Sequence, residues 1–178
     1  MSTQELPVSH ATIDLTALAR TFELPTTGSL DALRSWLGRV EEPFPGARAV
    51  VSADDVEVVT TGRLGSPNSS FDVYAAVRQL AAEAPAPGTA RPLVVLLEGP
   101  LTTTERALED RLWHTLQHLS DFDDGPWDET VVRTLDGADH AFAVGGEPWS
   151  VELLHPQSPR PAHRSPWPVL VVRPLATR

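Results

Sequence analysis

The sequence predicts an α+β fold, a single domain whose antiparallel or mixed sheet carries helices mainly on one face. Three observations lead there. Leu93-Val94-Val95-Leu96-Leu97 is continuously apolar, as a strand buried on both sides must be. Leu108, Leu112, Leu116 and Leu119 recur at helical spacing and form one stripe. Strand-like runs then gather towards the end of the chain, with helical stretches before and between them.

Taken in order, Asp14 to Arg20 suits a short helix that Pro25 and Gly28 interrupt. Ser29 is an N-cap for a helix through Val40, with Leu30, Leu33, Trp36, Leu37 and Val40 on one face. Pro43 and Pro45 end it. Ala47–Ser52 precedes a β-rich run at Val56-Glu57-Val58-Val59-Thr60. Phe71 to Ala84 reads as a helix with Val73, Val77 and Leu80 inward, and residues 85–92 as a loop. After the Pro92–Leu97 strand, Thr102 and Glu105 form a capping-box pattern for a helix over 103–120, which ends at Asp121-Phe122-Asp123-Asp124-Gly125. Ala141–Val144 and Trp149–Leu154 read as strands joined by a Gly145-Gly146-Glu147 hairpin. A proline-rich segment, 156–168, leads to a last strand at Val169–Arg173.

Composition excludes several chemistries. All 14 basic residues are arginine, so no lysine is present to form a Schiff base or to attach pyridoxal phosphate. The absence of cysteine removes disulfides, thiolate nucleophiles, Cys-ligated zinc, iron–sulfur clusters and thiolate-ligated heme. A net charge of −10 argues against nucleic acid, whose phosphates must be neutralised by Lys or Arg. Met1 to His10 shows no signal-peptide pattern, and no segment approaches the roughly 20 apolar residues of a membrane span, so the expectation is a cytoplasmic protein. G-x-S-x-G, P-loop, G-x-G-x-x-G and H-E-x-x-H motifs are all absent.

Four groups of side chains could carry chemistry. His155 stands at a strand exit that Pro156 enforces, where an imidazole can serve as an iron or zinc ligand or simply bond a nearby carbonyl. Arg160, His163 and Arg164 follow closely. They make either a solvated basic loop or the cationic surroundings that heme propionates require, and Arg48 is a further cation of this kind. His114 and His118 are spaced i,i+4, but on a face opposite the leucine stripe that is expected to be solvated rather than metal-binding. Asp121, Asp123 and Asp124 form either a solvated turn or a site for a cationic group or divalent ion. Trp113, Trp127, Trp149 and Trp167 are core residues by default.

The order of pieces from residue 93 onward resembles the YqcI/YcgG family. Glu109 precedes Leu112-Trp113, Leu116-Gln117 and Leu119. Asp123 stands before Trp127-Asp128, and Gly145-Gly146-Glu147-Pro148 is followed by Trp149 and His155-Pro156. Arg160, Ala162 and Arg164 keep the basic pattern, and Trp167-Pro168 leads into the last strand. Upstream, Pro43 and Gly46-Ala47-Arg48-Ala49 match the F-P-C-x-G-A-R-A segment, with Phe44 at the cysteine position. Ser120 and His163 replace a histidine and an arginine of the family pattern, and the closing N-L-H and Q-F pieces are absent.

The resemblance divides the chain into an N-terminal extension, 1–28, and a family-like α+β domain, 29–178. It implies heme b and a heme-dependent N-hydroxylase of natural-product biosynthesis, acting with dioxygen and an electron donor on a guanidine or amine nitrogen of a small arginine-like substrate. His155 would be the axial iron ligand, and Arg160 and Arg164 the propionate partners. Arg48 would be a propionate or substrate contact, and Asp123 the holder of the guanidinium. The alternative is a non-catalytic heme- or small-ligand-binding protein with the same fold. A homodimer is left open.

Overall fold

The computed structural model describes residues 28–39, 55–99, 103–125 and 140–176. In chain order these form α1 (Leu30–Leu37), β1 (Glu57–Arg63), α2 (Pro67–Glu83), β2 (Leu93–Glu98), α3 (Glu105–Phe122), β3 (Ala141–Val144), β4 (Glu147–Leu154), a short 3-10 turn (Pro161–His163) and β5 (Val169–Pro174). The helix expected at 14–20 and the run at 47–52 lie outside the described residues.

Each helix begins where a hydroxyl replaces a missing intrahelical partner. Ser29 Oγ accepts from Ala32 N, Ser66 Oγ from Ser69 N and Thr104 Oγ1 from Ala107 N, each at 3.2 Å. Two boundaries differ from expectation. Pro67, at the first helical position behind the Ser66 cap, starts α2 four residues before Phe71. The cap of α3 is Thr104 rather than Thr102, because the backbone is still extended at Thr104 and Glu105 is the first helical residue.

The five strands form one mixed sheet in the order β1-β2-β5-β4-β3. β1 and β2 run parallel, joined through α2, and every other pairing is antiparallel. β2 is an interior strand between β1 and β5 and is buried on both faces, which explains its unbroken apolar sequence. Its odd residues, Leu93, Val95 and Leu97, enter the larger core, and Val94 and Leu96 enter a second core on the other face. α2 and α3 cover the first face, and all four stripe leucines of α3 are buried there. Leu33 and Leu37 of α1 cover part of the second, with Trp167. Gly28 lies against that indole: a Cβ there would fall 1.6 Å from Trp167 Cε2. Among the described residues no helix is long and apolar enough to cross a membrane.

Strand directions place the candidate groups. β1, β2 and β4 all point towards one end of the sheet, where β4 delivers His155 and where α3 begins. α3 then runs back towards the opposite end, where the β3–β4 hairpin turns.

Candidate functional site

His155 leaves β4 into a loop that folds back on it. Its N–H donates to His163 O at 3.0 Å and its carbonyl accepts from Ser158 N at 3.3 Å. The 3-10 turn is closed by His163 N to Arg160 O and Arg164 N to Pro161 O. Arg164 Nε donates to Ser158 O at 2.7 Å. His155, Arg160, His163 and Arg164 thus belong to one hydrogen-bonded loop, with both arginines exposed.

The His155 residue is only 4% exposed, and its Nδ1 is enclosed with no hydrogen-bond partner among the described residues. Burial pushes the His155 imidazole below its ordinary value of 6.5, against the opposing pull of the Glu105 and Glu109 charges. His163 is pushed down as well, by burial and then by the Arg160 and His155 charges. In both, burial favours the neutral ring, the form in which imidazole binds a metal.

These shifts give a pH dependence. Groups with depressed folded values contribute stability above the unfolded value of 6.5, and that stability is lost as pH falls through the folded values. The urea midpoint of the cofactor-free protein should fall as pH is lowered from neutral to about 5, and less so in His163→Gln.

Asp123 sits elsewhere. It caps α3, and its carboxylate accepts from Gly145 N at 3.2 and 3.3 Å. Gly145 and Gly146 have φ of 66° and 78°, the left-handed pair that a two-residue hairpin requires, so Asp123 braces this turn. β4 spans eight residues between the hairpin and His155, so roughly 25 Å separate the two groups. A cavity of about 300 Å³ opens beside Asp123, lined by Arg78, Ala81, Ala82, Gly125 and Gly145. His155 does not line it. Arg78 is engaged by Tyr74 Oη and Asp124. Asp123→Ala should cost about 1 kcal/mol in a denaturation experiment, through loss of the turn's acceptor.

His118 departs from expectation. It faces the α2–α3 seam, with Nδ1 3.0 Å from the buried Ser70 Oγ, whereas His114 is exposed. Arg48 and Trp127 lie outside the described residues. Trp149 is fully buried and Trp167 nearly so, but Trp113 is 56% exposed, its ring 5.4 Å from that of His140.

Among the described residues no group of three or more His, Asp or Glu side chains could hold a metal ion. A porphyrin iron needs only one protein ligand, and an enclosed neutral imidazole with arginines in the same loop fits that donor set.

Fold and loop together define a small α+β domain with an enclosed histidine at the sheet's end and a basic return loop. The chain belongs to the YqcI/YcgG family, whose model matches residues 33–177. No curated protein and no solved structure matches the chain.

Proposed function

We propose that this chain binds heme b through His155 and uses it to hydroxylate a guanidine or amine nitrogen of a small arginine-like substrate, with dioxygen and electrons from a separate donor. The observation that carries the reading is the enclosed, unpartnered Nδ1 of His155. A buried polar atom without a partner is costly unless something else rewards the side chain's position. Iron ligation is such a reward.

Heme would supply the activation of dioxygen. The chain's own residues would do the rest. His155, kept neutral by burial, would hold the iron. Arg160 and Arg164 are exposed and close in sequence, and they would pair with the two propionates. Arg164 is steadied for this by its Nε bond to Ser158 O. Arg48 remains proposed as a propionate or substrate contact.

One observation favours a second reading, heme or small-ligand binding without turnover. The carboxylate assigned to the substrate, Asp123, is bonded to the hairpin at the far end of β4. Two measurements separate the readings. Hemin titrated into the purified protein should give a saturable Soret band at about one equivalent if the chain binds heme, with or without turnover, and no band would refute the enzyme and the heme-binding form of the second reading. Turnover of arginine-like amines with reductant and oxygen is then expected for the enzyme and not for the binder.

A further inference from the structure

The cavity beside Asp123 is formed where three elements meet. α2 contributes Arg78, Ala81 and Ala82, the end of α3 contributes Asp123 and Gly125, and the β3–β4 hairpin contributes Gly145. Small residues keep it open. A Cβ on Gly145 would come within 3.4 Å of Ala81 Cβ, and one on Gly125 within 3.2 Å of Asp123 Oδ2. A volume of about 300 Å³ is enough for a small molecule. The Arg78 side chain is 55% exposed, so the cavity opens to solvent on that side.

Two opposite charges line this space, and each is held in place with bonding capacity left over. Arg78 Nη1 donates to Tyr74 Oη and, at 3.4 Å, to Asp124 Oδ1. Its Nε and Nη2 have no partner among the described residues. That edge of a guanidinium takes a carboxylate through two parallel bonds. Asp123 receives one N–H, that of Gly145, shared between its two oxygens, so both oxygens keep lone pairs for a further donor. Asp123 is half-buried at the C-terminal end of α3, whose last turn carries no basic residue. The last carbonyls of that helix add negative potential on the same side, which favours a cation there.

We infer that this cavity binds the zwitterionic head of a free α-amino acid, with its carboxylate on Arg78 and its ammonium on Asp123. Neither an amine nor a carboxylate alone would answer both charges. The alanine and glycine walls fit closely around a Cα, and the ligand's own side chain projects through the open side. Roughly 25 Å separates the cavity from His155, so a molecule held here is an effector and not the one that reacts at the other end of β4. It joins α2, the end of α3 and the hairpin, and it stabilises the fold by mass action. The assignment stands on these residues whether or not His155 holds iron.

The test is calorimetric titration of glycine and of L-alanine, neither of them arginine-like, into the full chain, with methylammonium and acetate as half-ligands. Both amino acids are expected to bind, equally with and without hemin and equally in His155→Ala, and each half-ligand should bind at least about tenfold more weakly. Asp123→Asn removes the charge and keeps an oxygen for Gly145 N–H, and Arg78→Gln removes the guanidinium. Each should weaken glycine binding by about tenfold or more, with far-UV circular dichroism unchanged. Ala82→Leu, at an exposed helical position, narrows the cavity with both charges in place and should also weaken binding. Four outcomes would overturn the assignment: no amino-acid binding to the wild type, unaltered affinity in all three cavity variants, methylammonium binding as tightly as glycine, or affinity lost in His155→Ala and kept in the cavity variants.

Discussion

Trp149→Ala is expected to destabilise the protein by about 3–5 kcal/mol, the range for deleting a buried large aromatic side chain. Trp149 is fully buried and is the largest side chain so enclosed. It lies in the larger core, opposite Phe142 on β3, and its Nε1 donates to Val144 O at 3.4 Å. Both flanking strands are fixed by their ladders, so the emptied volume cannot close by a simple shift of backbone. Domains of this kind have about 5–15 kcal/mol in total, so the loss would be a large share. Urea denaturation followed by far-UV circular dichroism measures it. A loss under about 1 kcal/mol would mean that the cavity refills or that the hairpin packs differently. Trp149→Phe should cost less, since it keeps a ring and forfeits mainly the indole's hydrogen bond.

What the sequence could and could not disclose follows from how local each signal is. The leucines of α3 and the Gly145-Gly146 turn were legible because helical period and left-handed φ are properties of a few neighbouring residues. The parallel pairing of β1 with β2 was not, since register across a helical crossover depends on packing among distant segments. Thr102, Thr103 and Thr104 are chemically equivalent caps, and only the point where the chain turns helical selects Thr104. The same division holds at the site. The strand exit at His155 and its basic loop were readable from Pro156 and the arginines. The positions of Asp123 and His118 were not. A carboxylate at a helix end looks alike whether it meets a ligand or a hairpin amide, and a polar residue beside a leucine stripe looks alike whether it meets water or the next helix.

If His155 holds the iron as proposed, His155→Ala should abolish its ligation of heme, and it is the most discriminating substitution in the chain. The side chain occupies an enclosed position and its backbone is pinned on both sides by bonds to His163 and Ser158. Removing the imidazole should therefore leave the loop's path intact. Nor does it break a hydrogen bond at Nδ1, which has no partner among the described residues. Burial disfavours the imidazole's charged form, so its deletion also relieves a cost at low pH. A side chain present only for packing would, on truncation, reduce stability and leave a hemin spectrum unchanged. A ligand would change that spectrum whatever the cost in stability: the Soret band of the variant shifts to that of hemin lacking the imidazole. Arg160→Ala should behave differently from both, weakening heme retention by loss of a propionate partner while leaving the coordination spectrum of the bound fraction as in the wild type. Adding free imidazole to His155→Ala should restore the wild-type spectrum if the cavity left behind admits it. An unaltered hemin spectrum in His155→Ala would transfer the ligand elsewhere, and with it the proposed site.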